Sequence, residues 1–139
     1  MLEIARGRGL PSNVRLAHTS GADLPLPDGS FDLVMSLLVL QHIPDQRILL
    51  ANLREIRRVT NATGRAILQF DSRGPSAVVA IVQALPDALL PRIRRRYFRR
   101  YRRPSHAIDA LLREAGLTIL RETGRGTATH HLALSPASR

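Results

Sequence analysis

The 139 residues read as one α/β domain built on a mostly parallel sheet that closes with an antiparallel strand pair. Three observations predict this. Short apolar runs alternate with amphipathic stretches of about 10 to 15 residues, the pattern of βαβ units. The last two apolar runs, residues 117–121 and 128–134, are joined by too few residues for a crossover helix and are therefore antiparallel. Residues 21–36 pass from a Pro/Gly-punctuated polar loop into a short apolar run, then leave through a second polar turn up to Asp45. An α/β sheet presents a binding crevice in that way, at the carboxyl end of a strand.

The elements follow in order. Leu2, Ile4 and Ala5 read as the last turns of an amphipathic helix ended by Gly7 and Gly9, and residues 13–17 alternate as a strand would. Residues 18–30 hold the breakers of a loop, and residues 31–35 form a short, fully buried strand. Pro44-Asp45 opens a helix with Asp45 as its N-cap. Leu49, Leu53 and Ile56 then recur on one face, with Arg54, Arg57 and Arg58 on the wet side. Residues 61–64 make a turn before a second buried strand at 65–70. Residues 75–86 look helical, and Ser105 opens a helix that runs to Ala115 and stops at Gly116.

Composition excludes several classes. A hydrophobic fraction of 44% with 23% charged residues is ordinary for a globular domain. No run reaches the ~18 apolar residues of a membrane span. The longest candidate, residues 77–90, is broken by Gln83, Pro86 and Asp87. The first residues lack the basic-then-apolar order of a signal peptide, so a cytoplasmic address is the expectation. With no cysteine there is neither a disulfide framework nor a thiolate metal site.

The net charge of +10 is carried entirely by arginine on the basic side, for the chain has no lysine. Arg92, Arg94, Arg95, Arg96, Arg99, Arg100, Arg102 and Arg103 crowd into one segment, and without them the net charge falls to +2. Tyr97, Phe98 and Tyr101 interleave with them. Basic and aromatic residues together suit phosphate or nucleic-acid binding, and a solvated helix face with inward aromatics is the alternative. Among the histidines, His42 stands beside the expected crevice, either as a base toward an acceptor hydroxyl or nitrogen or as a residue that orients its turn. His130 and His131 are adjacent, so on a strand they point to opposite faces and form no metal pair. Asp28 and Asp32 read as loop residues flanking the start of a strand.

The phrase Asn13-Val-Arg-Leu, then Asp23-Leu-Pro-Leu-Pro-Asp-Gly-Ser-Phe-Asp-Leu-Val34, resembles the third strand, adenine loop and fourth strand of class I S-adenosylmethionine-dependent methyltransferases of type 11. Val39-Leu-Gln-His-Ile-Pro-Asp45 is similar to that family's motif after the fourth strand. Leu53-Arg-Glu-Ile-Arg-Arg-Val59 with Gly64-Arg-Ala-Ile-Leu68 is similar to its next helix and fifth strand, and Glu114-Ala-Gly-Leu117 more generically to its last helix. The resemblance implies a Rossmann-like fold and three parts. Residues 1–72 are the adenine loop and central strands, 73–103 a cap-like basic insertion, and 104–139 the closing helix and strand pair.

It also implies S-adenosylmethionine as cofactor and methyl transfer to a small or anionic acceptor. Ser20, Gly21, Ala22 and Asp23 would take the adenine side, with Ser36 and Leu37 at the methionine end. Gln41, His42, Arg99 and Arg100 would meet the substrate. The family's first two strands and its glycine loop have no counterpart here, so a truncated or mis-started product with an unpaired apolar edge at residues 31–35 is the expectation. Thr19-Ser20 stands where the family has Gly-Asp, replacing a carboxylate by a hydroxyl. The competing functional class is a non-catalytic module whose arginines hold RNA, an anionic lipid or an acidic partner.

Overall fold

The computed structural model describes residues 2–7, 9–19, 23–74, 76–78, 81, 85–89 and 100–137. A short helix α1 (Leu2–Arg6) is followed by β1 (Phe31–Ser36), a 3₁₀ turn (Leu40–His42), α2 (Gln46–Val59), β2 (Thr60–Phe70), a second 3₁₀ turn (Asp87–Leu89), α3 (Ser105–Glu114), β3 (Leu117–Thr123) and β4 (His130–Pro136). Residues 13–17, expected as a strand, carry no strand here. Of the helix expected over residues 75–86, only 77, 78 and 81 are described as helical, and most of the remainder lies outside the described residues.

The sheet order is β1-β2-β4-β3. β1 and β2 are parallel, joined through α2, whereas β4 runs antiparallel to both β2 and β3. The closing pair is antiparallel as its short connection requires, and β4 threads between its partner and the parallel half. Asp45 caps α2 as the sequence suggests: its Oδ1 accepts from Arg47 N at 2.7 Å and Ile48 N at 3.4 Å. The apolar face of α2 then buries Leu49, Leu53, Ile56 and Val59, and that of α3 buries Ile108, Leu111 and Leu112. Both close over Ala66, Leu68 and Phe70 of β2 and Leu132 and Leu134 of β4. Each fully buried leucine contributes about 1.5–3 kcal/mol.

Two departures have clear causes. The predicted turn at residues 61–64 is a bulge inside a longer β2: Phe31 faces Thr60, yet Leu33 already faces Arg65. Asn61 organises it, accepting at Oδ1 from Thr63 N at 3.0 Å and donating Nδ2 to Asp32. The second departure is β1, expected to be fully buried. It is an edge strand, with Phe31, Leu33 and Met35 on one face exposed to 37, 51 and 56%. Val34, on the other face, packs on the core. An apolar run is buried on both faces only where both are covered, and among the described residues the helices cover one.

Gly64 closes the bulge where a Cβ would lie 2.9 Å from Phe31 O, Asn61 Oδ1 and Thr60 Cγ2. Gly64→Ala is therefore expected to lower unfolding stability by about 1–3 kcal/mol in urea melts, while Gly74→Ala, with nothing within 4 Å, leaves it nearly unchanged.

Candidate functional site

Both parallel strands end on the same side of the sheet, and β4 begins there because it runs the other way. The turn after β1 forms the wall at that end. Ser36, the last residue of β1, is half-buried and pairs with Leu68. Leu37, Leu38 and Val39 follow, exposed to 40, 52 and 57%. Leu38 holds φ at 62°, the left-handed region where a leucine is strained. The chain then tightens into the 3₁₀ turn, where His42 N donates to Val39 O at 2.9 Å. His42 is half-buried, and Gln41 is fully buried with both amide atoms lacking a hydrogen-bond partner. A buried polar atom left so costs about 1–3 kcal/mol.

The turn is met by residues 101–103, which the sequence reading placed in the arginine cluster but not at this turn. Tyr101 N donates to Gln41 O at 2.7 Å, and Arg103 N donates to Asp71 O at 3.0 Å, just beyond the end of β2. The Arg103 guanidinium donates through Nη2 to Ile43 O and, at 3.4 Å, to Pro44 O; its Nη1 is buried without a partner. Burial pulls the Arg103 pKa below its ordinary value, which still leaves an arginine charged at neutral pH. The Asp71 carboxylate is inaccessible and ion-paired to Arg73 at 2.5 Å. Its pKa lies below the ordinary value: burial, the largest influence, pushes up, but the Arg73 hydrogen bonds and the charges of Arg73 and Arg102 outweigh it.

Among the predicted site residues, the structure brings Ser36, Leu37, Gln41 and His42 into one turn. Exposed Arg100 lies next to it in sequence through Tyr101. Ser20, Gly21, Ala22 and Arg99 lie outside the described residues. Asp23 is exposed, and its carbonyl accepts from Thr19 Oγ1 at 2.7 Å. From Leu24 onward the chain is fastened to the second half of α2. Leu24 N donates to Glu55 Oε2 at 2.9 Å, and Arg58 donates to Leu24 O, Leu26 O and the Asp28 carboxylate.

His130 is buried and His131 exposed, on opposite faces as strand alternation demands. An extra residue in β3, Leu120, shifts the register so that Glu122 lies opposite Leu132, on the face of His130. Glu122 Oε2 is then 3.2 Å from His130 Nε2 and 2.8 Å from Arg125 Nη1. Arg125 also pairs with Asp109 of α3. This network ties the β3–β4 turn to α3. Among the described residues no group of three His, Asp or Glu side chains could hold a metal ion, and no helix is long and apolar enough to cross a membrane.

With this geometry in hand, the comparisons with known proteins fall into place. Residues 1–68 match the family model described as "Methyltransferase domain". A curated relative, ajmaline N-methyltransferase of Rauvolfia serpentina, is 37% identical over 65 residues, which are 47% of this chain and 21% of that protein. Among solved structures, mitomycin 7-O-methyltransferase superposes with a TM-score of 0.66 at 22% identity, covering 98% of this chain and 38% of that one. An S-adenosylmethionine-dependent methyltransferase from Methanosarcina mazei gives a TM-score of 0.70 at 15% identity, covering 99% and 76%. Residues 1–68, just under half of the chain, are thus similar to the methyltransferase-domain family, and the fold of solved methyltransferases extends over nearly the whole chain. The family's cofactor is S-adenosylmethionine.

Two measurements check the local energetics. The Arg58 hydrogen bond, the largest influence, and the Leu24 amide hold the Glu55 carboxyl down at about 2. A carboxyl depressed in the folded state stabilises above its unfolded value, and that contribution is lost as pH falls from about 4.5 toward 2. Glu55→Gln is therefore expected to be less stable than the parent at pH 7, with the gap closing at low pH in melts run from pH 7 to 2. Leu38→Gly relieves a strained φ at an exposed position. It is expected to leave stability unchanged or raise it by about 1 kcal/mol.

Proposed function

We propose that the carboxyl ends of β1 and β2 form part of the crevice of an S-adenosylmethionine-dependent methyltransferase that methylates a small or anionic acceptor. The observation that carries this reading is the Ser36–His42 wall, which lies within the family-matching segment and joins an exposed apolar lip to buried, unpartnered amide atoms. That combination fits one side of the cofactor. Leu37 and Leu38 offer apolar surface, the half-buried Ser36 hydroxyl offers a donor and acceptor, and Gln41 has hydrogen bonds to spare. Ser20, Gly21, Ala22 and Asp23 are assigned to the adenine side on the family resemblance.

S-adenosylmethionine, when bound, supplies a methyl group already activated on a sulfonium. The protein's remaining work is alignment and the exclusion of water. In this reading Leu37 and Leu38 shield the reacting atoms, and the His42 imidazole takes the proton that an acceptor hydroxyl or amine gives up. Arg99 and Arg100 draw in an acceptor that carries negative charge, an attraction that weakens as salt screens it.

The test is titration with S-adenosylhomocysteine followed by a methyl-transfer screen over small hydroxyl- and amine-bearing acids. Micromolar binding that raises the melting temperature is expected. For a turned-over acceptor, His42→Gln is expected to lower kcat by about 10²-fold with S-adenosylhomocysteine affinity nearly unchanged. Absence of any cofactor-dependent shift in a cooperatively folded sample overturns the reading.

A further inference from the structure

Four hydrogen bonds run from two residues, Tyr101 and Arg103, onto two separate parts of the sheet's carboxyl end. Three of them go to the turn after β1: Tyr101 N to Gln41 O, and Arg103 Nη2 to Ile43 O and Pro44 O. The fourth, Arg103 N to Asp71 O, goes to the chain leaving β2. The segment thus bridges the ends of the two parallel strands from outside the sheet.

The bonded carbonyls make the arrangement selective. Ile43 O and Pro44 O lie between the 3₁₀ turn and the first residue of α2, where neither element supplies them a donor. One charged donor group meets both, and bonds of that kind are the stronger ones. Both bonds leave from the one Nη2 nitrogen, so a lysine ammonium keeps the charge but not the placement of its donors. The stretch so fixed includes Leu38, whose left-handed φ of 62° persists only where surrounding contacts overdetermine it. It also includes Gln41, buried with both amide atoms unpartnered, as is Arg103 Nη1.

We propose that Arg103 is a positioning residue, which holds residues 37–44 as a preformed crevice wall against the end of β2. The proposal rests on the methyltransferase reading for what the wall receives, and on the geometry alone for how the wall is held. Arg103 touches no reacting atom in this scheme. It acts through the turn, and it links that turn to the chain segment that carries the other clustered arginines.

Amide hydrogen exchange on the full chain, with and without S-adenosylhomocysteine, tests it in Arg103→Met, Arg103→Lys and, as a control, Arg125→Met, which removes an ion pair at the same end without touching the turn. In Arg103→Met the His42, Ile43 and Tyr101 amides are expected to exchange at least about tenfold faster, while Leu132 and Leu134 in β4 change little. Arg103→Lys, keeping the charge on a shorter, differently placed donor group, falls between, and it carries the test alone if the methionine variant does not fold. Arg125→Met leaves the turn amides at the parent rate. S-adenosylhomocysteine affinity is expected to weaken about tenfold in Arg103→Met.

Turn amides that keep the parent rate, or that quicken only in step with Leu132 and Leu134, overturn the proposal. So does S-adenosylhomocysteine binding equal to the parent's in a variant whose turn has loosened. If the parent itself binds no S-adenosylhomocysteine, the methyltransferase reading fails, and turn-specific exchange still decides whether Arg103 holds the wall.

Discussion

β2 is paired on both sides, parallel to β1 and antiparallel to β4, and everything else in the molecule is arranged around that fact. Its residues Ala66, Leu68 and Phe70 are fully covered, forming the floor on which α2 and α3 pack. Because β4 runs against it, the amino end of β4 lies beside the carboxyl end of β2. The Ser72 and Thr127 regions therefore meet: Ser72 N donates to Thr127 O at 2.9 Å, and Gly126 N donates to Ser72 Oγ, also at 2.9 Å. Loss of the central strand's pairing would separate the crevice wall from the hairpin that closes the sheet.

Arginine side chains then fasten what hydrogen-bonded ladders cannot reach. Arg58, in the last turn of α2, holds the loop before β1 through Leu24 O, Leu26 O and Asp28 while pairing with Glu55. Arg103 holds the turn after β1 through two carbonyls. Edge strand β1 is thus secured at its entrance by one guanidinium and at its exit by another, with β2 along one side. Neither interaction counts as a simple surface ion pair, whose worth is typically about 0–1 kcal/mol. Each joins a charged donor to backbone carbonyls of a distant loop or turn, and such charge-assisted bonds are worth more.

Much of this was legible in the residues. The N-cap at Asp45 and the buried stripe Leu49, Leu53, Ile56 follow from helix periodicity and the orphan amides of a first turn. The antiparallel β3–β4 pair follows from connection length. The opposed fates of His130 and His131 follow from the two-residue repeat of a strand. The turn after β1 was singled out through the family resemblance of residues 39–45, and in the fold Ser36, Leu37, Gln41 and His42 follow one another from the end of β1 into the 3₁₀ turn. The exposure of Leu33 and Met35 within an apolar run was missed in the reading of a fully buried strand. Hydrophobicity reports what a segment can bury, not whether a neighbour is there to cover it. The bulge at residues 61–64 and the extra residue at Leu120 were missed as well, because register is a property of two strands together.

By itself, then, the sequence determined the local elements, their alternation, the antiparallel close and the family that residues 1–68 resemble. Each of these depends on patterns a few residues long or on motifs read in order. Only the tertiary structure decided that Leu33 and Met35 of edge strand β1 stay exposed, that Glu122 comes to face His130, and that, among the described arginines, Arg58 and Arg103 brace β1. A guanidinium carries the same charge wherever it occurs. Its role is set by which backbone carbonyls the fold brings within its reach, and those lie some 30 to 60 positions away along the chain.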